Sequence, residues 1–128
     1  MKLKDSLYRI TRQPAEGMPL EYEVRLDEKH FIYQAHFPEE PVTPGVCIIQ
    51  IAKELLEDHL QQDYEIQQVK NVKFLSVLSP LKTPCVTYRF DKLTISEDTK
   101  ACKAQIMVTA QEDAVAKLSI VLKPQAHD

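Results

Sequence analysis

One segment limits what this chain can become more than any other. Pro44-Gly45-Val-Cys-Ile-Ile-Gln50-Ile-Ala-Lys-Glu54-Leu-Leu-Glu-Asp-His-Leu-Gln reads as one long helix. Ile48, Ile49, Ala52, Leu55, Leu56 and Leu60 recur at the spacing of one helical stripe, while Lys53, Glu54, Glu57 and Asp58 fall mainly on the other side. The run is long enough for about four turns, which tertiary packing must stabilise. Its first turn, Val46 to Ile51, is apolar on all sides except at Gln50. A turn apolar all round is buried all round, so the start of this helix is expected deep in the fold.

Around the helix the hydrophobic period changes from 3.6 to two. Leu20, Tyr22, Val24 and Leu26 alternate with Glu21, Glu23 and Arg25, which predicts a strand with one buried face. Ile66 to Leu75 is a rougher strand, and Cys85 to Ile95 alternates through Val86, Tyr88 and Phe90. Lys103–Ala110 and Ala114–Lys123 are separated by Gln111-Glu112-Asp113, which predicts a hairpin, although no Asn-Gly or Asp-Gly marks its turn. One long buried helix among antiparallel strands is an α+β architecture. The 128 residues leave room for one domain, 1–128, and 44% hydrophobic residues suffice for a core.

Composition removes several classes of function. No apolar run approaches the ~20 residues that span a bilayer, and Met1-Lys-Leu-Lys-Asp-Ser has no apolar signal region, so a soluble cytoplasmic domain without membrane association is expected. A formal charge of −3 argues against a nucleic-acid partner. Cys47, Cys85 and Cys102 show no CxxC spacing and read as small reduced hydrophobes. His30, His59 and His127 are expected on a strand edge, a helix end and the tail, and no metal site is expected. Gly17 and Gly45 are the only glycines, too few for a Gly-rich phosphate loop.

The stretch before the helix is where chemistry is expected. Pro38, Pro41 and Pro44 fix backbone torsions and forbid helix just before each of them, giving a stiff loop. Pro44-Gly45 then opens the helix, where the first N–H groups lack intrahelical partners and the macrodipole is positive. A glycine there permits close approach of a ligand, so the helix start suits an oxyanion.

His36-Phe37-Pro38-x-x-Pro41-Val42-x-Pro44-Gly45-Val46 resembles the signature of the hot-dog-fold 3-hydroxyacyl-acyl-carrier-protein dehydratases of fatty-acid synthesis. Phe31-Ile-Tyr-Gln-Ala resembles the approach to that family's histidine, and Val69-Lys-Asn-Val-Lys-Phe-Leu-Ser-Val-Leu-Ser-Pro80 the strand and turn after its helix. The resemblance implies a curved antiparallel sheet wrapped around one long central helix, with two subunits sharing two active sites. It implies His36 as the base that removes a proton beside the thioester carbonyl, and the Gly45 N–H as donor to the oxyanion. The family's Glu or Asp, the acid that helps the 3-hydroxyl leave, falls at Gln50, and an amide cannot donate a proton as a carboxylic acid does. Glu54 lies four residues on, on the same helix face, and reads either as a solvated residue paired with Lys53 or as the source of the missing acid through Gln50 or a water.

Phe37, Pro44, Val46, Ile49 and Phe74 are expected to touch substrate in an apolar tunnel beside the helix. No dissociable cofactor is implied, since phosphopantetheine or coenzyme A belongs to the substrate thioester. The implied partners are an acyl carrier protein or acyl-CoA, and a homodimer, a higher oligomer or a heterodimer with an active paralogue. Lys70, Lys73, Lys82 and Lys92 read either as a basic patch for an acidic carrier or as ordinary strand-edge lysines. Gln50 keeps two alternatives open: a non-catalytic partner or acyl-binding module, and a thioesterase in which Gln50 orients the attacking water.

Overall fold

The computed structural model describes residues 2–35 and 39–126. In chain order its elements are β1 (Tyr8–Arg12), β2 (Glu21–Leu26), α1 (Phe31–Ala35), α2 (Gly45–Leu60), β3 (Tyr64–Phe74), β4 (Cys85–Ile95), β5 (Cys102–Ala110) and β6 (Asp113–Pro124). The strands form one antiparallel sheet in the order β1-β2-β4-β5-β6-β3. This curved sheet around one long helix is the hot-dog fold. No helix among the described residues is long and apolar enough to cross a membrane.

The period-two patterns place one face of each strand on the helix. Tyr22, Val24 and Leu26 of β2, Val86, Tyr88 and Phe90 of β4, and Ala104, Ile106 and Val108 of β5 are buried with Leu118, Ile120 and Leu122 of β6. Against them α2 buries Cys47, Ile48, Ile51, Ala52, Leu55 and Leu56. A fully buried Leu or Ile contributes about 1.5–3 kcal/mol, so this stripe anchors the helix. The predicted strands all form, and β3 and β6 pair from Tyr64 opposite Pro124 to Phe74 opposite Ala116.

Two elements go beyond the sequence reading. β1 is a five-residue edge strand that pairs Tyr8 with Leu26 and Ile10 with Val24. α1 is a helix of five residues in a stretch expected only as an approach to the proline loop. The β5–β6 hairpin forms as expected, but β6 begins at Asp113 and the turn is only Gln111-Glu112. Both have positive φ, 50° and 71°, the left-handed region that a two-residue type I′ turn demands and that glycine or asparagine adopts at lower cost.

The helix departs from the expected division into an apolar and a solvated face. Glu54 is only 3% exposed. Glu57, Asp58 and Lys53 are half-buried. The reason is polar partners on the packed side. Glu57 Oε2 accepts the Tyr64 N–H of β3 at 2.8 Å and lies 3.7 Å from Lys53 Nζ. Asp58 Oδ2 accepts the Tyr22 hydroxyl of β2 at 2.8 Å, and Lys4 Nζ lies 3.5 Å from Oδ1. A charged stripe is therefore buried under the sheet's edge, its acceptors matched by donors from elsewhere in the chain.

Candidate active site

The loop that leads into α2 is pinned on both sides. The Tyr33 hydroxyl of α1 and Thr43 Oγ1 lie 2.9 Å apart, both residues buried. The Thr43 N–H donates to the Leu78 carbonyl at 2.8 Å, tying the loop to the segment after β3. Burial pushes the Tyr33 phenol up to about 12, so it stays protonated as a structural brace. His36 and Phe37 lie outside the described residues, between these two anchor points.

Pro44 caps the helix with φ −60°, which its ring fixes, and an extended ψ of 144°, and it makes no side-chain capping bond. The first intrahelical bonds run from the Cys47 and Ile48 N–H groups to the Pro44 carbonyl, at 3.0 and 3.2 Å. The Gly45 and Val46 N–H groups therefore precede the hydrogen-bonded ladder, which is the arrangement that suits an anion. Gly45 does not have positive φ. Its need for a bare α-carbon comes from Phe74, whose ring lies where a Cβ would project.

Val46 is 64% and Phe74 51% exposed, so one chain places these expected wall residues on its surface rather than inside a tunnel. Ile49 is half-buried against the core. An open groove of about 620 Å³ lies elsewhere, over the N-terminal turn and β2, lined in part by Tyr8, Arg25, Asp27 and Leu81. Cys47, the residue after Val46, is buried and its thiol pKa is raised by desolvation, so it is not a ready nucleophile.

Gln50 and Glu54 meet as their four-residue spacing predicts. Gln50 Nε2 donates to Glu54 Oε2 at 2.9 Å. The same Oε2 accepts the Leu3 N–H at 2.8 Å, while Oε1 accepts the Lys4 N–H at 2.8 Å and the Tyr8 hydroxyl at 3.0 Å. Burial, and then the adjoining Glu54 carboxylate, push the Tyr8 phenol far above its ordinary value, so Tyr8 is a permanent donor. Two consecutive backbone N–H groups, a phenol and an amide thus surround one carboxylate. Such a set offsets the several kcal/mol that desolvating a carboxylate costs.

The sequence missed these partners, since Leu3 and Lys4 act through backbone N–H groups that leave no side-chain signature. Tyr8 carried the one available signal, an aromatic residue with a polar tip at the start of an apolar alternation. Glu54 is not the solvated residue beside Lys53 that its position suggests; Lys53 pairs with Glu57 instead. Cys47 and Cys102 are buried free thiols as expected, whereas Cys85 is exposed. His30 stands in a turn, its Nδ1 accepting the Ile32 N–H at 3.1 Å, and His59 is exposed near the end of α2. His127 lies outside the described residues. Among the described residues no group of three or more His, Cys, Asp or Glu side chains could hold a metal ion. Lys70, Lys73, Lys82 and Lys92 are all exposed, with Lys73 of β3 and Lys92 of β4 separated by β6 and β5 in the sheet.

The family model described as ApeI-like, ApeI dehydratase, matches residues 12–119. Among solved structures, the dehydratase heterocomplex ApeI:P from Xenorhabdus doucetiae aligns at a TM-score of 0.64 with 17% identity, covering 89% of this chain and 96% of that one. A hypothetical thioesterase protein with coenzyme A from Streptococcus pneumoniae aligns at 0.61 with 13% identity, covering 94% and 87%. An uncharacterized protein from Erwinia carotovora also aligns at 0.61, with 17% identity, covering 91% and 92%. At these identities the structures share the fold. No curated protein matches the chain.

Proposed function

We propose that this chain, which belongs to the ApeI-like dehydratase family, removes water from a 3-hydroxyacyl thioester to give the trans-2-enoyl thioester. The observation that carries this reading is the helix start: a braced proline loop delivers Gly45, with its N–H ahead of the helical ladder, one and a half turns from Gln50. A thioester oxygen seated there receives the charge that develops when the neighbouring C–H proton is taken. His36 takes that proton, since a histidine's unperturbed pKa lies near neutral pH.

The leaving hydroxyl needs a proton, and Gln50 has none to give. Glu54 is occupied as an acceptor by Leu3, Lys4, Tyr8 and Gln50, which supports a different source. The imidazolium formed on His36 in the first step returns its proton to the hydroxyl as the carbon–oxygen bond breaks. The hydrogen and hydroxyl lost by the substrate then leave together as water, and His36 is neutral again. No dissociable cofactor or metal enters this scheme, and the carrier, an acyl carrier protein or coenzyme A, is part of the substrate.

Exposed Val46 and Phe74, together with the long edge strand β3, support pairing with a second hot-dog subunit that completes an apolar acyl site. A partner of a different sequence is a second form of this proposal, supported by Gln50 at the acid position and by the heterocomplex formed by the ApeI:P neighbour. The test is turnover of a short 3-hydroxyacyl thioester, followed by enoyl absorbance and free thiol together, with His36→Ala beside it. Enoyl product that disappears in the variant supports the dehydratase. Free thiol without enoyl establishes a thioesterase, and neither product, even from a carrier-protein substrate, establishes a non-catalytic subunit.

A further inference from the structure

The groove over the N-terminal turn and β2 has no part in the reaction proposed above. β1 and β3 are the two edges of the sheet. The groove runs beside β1 and β2, whereas the helix start packs against Phe74 at the end of β3. Strand register sets its charge. Arg9 of β1 stands directly opposite Arg25 of β2, so alternation turns both side chains to one face, away from the buried Tyr8, Val24 and Leu26. Like charges directly opposite each other on a sheet are destabilising. Carboxylates could neutralise them, and Asp5, Asp27 and Glu28 line the same groove. Among the described residues, however, none of the three forms an ion pair with Arg9, Arg25 or Lys29. Arg25 Nη1 donates instead to Cys85 Sγ at 3.6 Å, and Asp27 Oδ1 accepts the Lys29 backbone N–H at 2.9 Å. Guanidiniums and carboxylates thus share one cavity without quenching each other. The rest of its wall is apolar: Pro80, Pro84 and Leu81, the last 56% exposed. At about 620 Å³ the cavity has the size of a small-molecule site.

We infer that this groove binds a nucleoside phosphate. The phosphate lies between Arg9 and Arg25, whose planar forks suit its oxygens and whose mutual repulsion it removes. Ionised Asp27 and Glu28 only accept hydrogen bonds, so they turn the phosphate away from their side and receive the ribose hydroxyls. Pro80, Leu81 and Pro84 give the flat base an apolar surface to cover. Free nucleotides carry this phosphorylated ribose, and so does the nucleotide end of coenzyme A. The site stands on its own residues and is independent of the dehydration chemistry.

The experiment is isothermal titration calorimetry of the full chain with adenosine monophosphate, adenosine and coenzyme A as probes. Adenosine monophosphate is expected to bind, with adenosine at least about tenfold weaker. Arg9→Gln and Arg25→Gln should each weaken adenosine monophosphate about 10- to 100-fold, the worth of hydrogen bonds to a charged group. Lys103→Ala, exposed on β5 with β4 between it and β2, should stay within about twofold of the wild type. Without ligand, Arg9→Gln should melt no lower than the wild type, because a like-charge pair has been removed. Weaker binding in that variant is then not a loss of fold. No saturable binding of adenosine monophosphate up to about 1 mM overturns the inference. Equal affinity for adenosine, or equal affinity in the arginine variants and in Lys103→Ala, does so too. Coenzyme A binding at least as tightly as adenosine monophosphate assigns the groove to the thioester's carrier; weaker binding assigns it to a free nucleotide.

Discussion

Gly45 opens α2 and Phe74 closes β3, and their contact gives a quantitative test of how the helix start is built. A Cβ on Gly45 would lie 2.5 Å from Phe74 Cζ, 2.8 Å from Cε2 and 3.1 Å from Cε1. Packed carbons prefer about 3.5–4.0 Å, so in Gly45→Ala the ring must retreat by about 1 Å or more. The backbone offers no resistance, since Gly45 lacks a positive φ, and alanine even gains up to about 1 kcal/mol in helix propensity. Phe74 is 51% exposed. About half of its roughly 200 Å² is therefore in contact, worth at most about 2.5 kcal/mol at ~25 cal/mol per Å². Because the atoms struck are the far end of a half-exposed side chain, the ring swings outward and forfeits only part of this. Gly45→Ala should then destabilise the protein by about 1 kcal/mol, yet stabilise it by a few tenths in a Phe74→Ala background. Urea unfolding of the four proteins, followed by circular dichroism, gives the coupling from their midpoints and a common slope. A coupling below about 0.3 kcal/mol would refute the claim that Phe74 is why this position needs glycine.

Three other outcomes follow from features described above. Replacing Gln111-Glu112 by Asn-Gly should relieve the left-handed strain and stabilise the fold by about 1 kcal/mol, or about 4 °C in Tm, with an unchanged or lower Tm counting against the type I′ turn. Glu57→Ala leaves the buried Tyr64 N–H without its acceptor and should cost about 1–3 kcal/mol in urea unfolding; a cost near zero would show that the bond contributes nothing. All five tyrosines have pKa values raised first of all by burial, Tyr33 to about 12. The folded chain therefore keeps protons that the unfolded chain releases above about pH 10. Stability is full below that pH and falls as pH rises towards 12, by about 1.4 kcal/mol per pH unit for each deeply buried phenol. Tyrosinate absorbance should rise together with the loss of circular dichroism; tyrosinate appearing at about pH 10 in an intact fold would refute it.

The strands and the helix were legible because each writes a period into the sequence. The helix start at Gly45 was legible because Pro44 and Gly45 leave the backbone few choices, while the His36 end of that motif lies outside the described residues. What sequence could not show was the burial of Glu54, Glu57 and Asp58, since a polar stripe at helical spacing looks the same under water or under protein. For Glu54 and Glu57 the difference lay largely in backbone N–H groups of Leu3, Lys4 and Tyr64, which any residue type but proline supplies, and for Asp58 in the side chains of Tyr22 and Lys4, distant in sequence. β1 was hidden because its alternation is short, Tyr8 to Thr11, and breaks at Arg12, where the register with β2 shifts. The five residues of α1 are too few to establish a helical period.

The bond between the Leu3 N–H and Glu54 joins residues 51 positions apart. During synthesis at about 5–20 residues per second, Leu3 is made several seconds before its acceptor exists. A segment made early is therefore among the last that can find its native place, and β1 beside it pairs with β2 alone. Until that segment docks, the helix carries an unmatched carboxylate where its core contacts should close. The residues around Leu3 and Lys4 thus behave as a clasp, shut only after the body they fasten has been built.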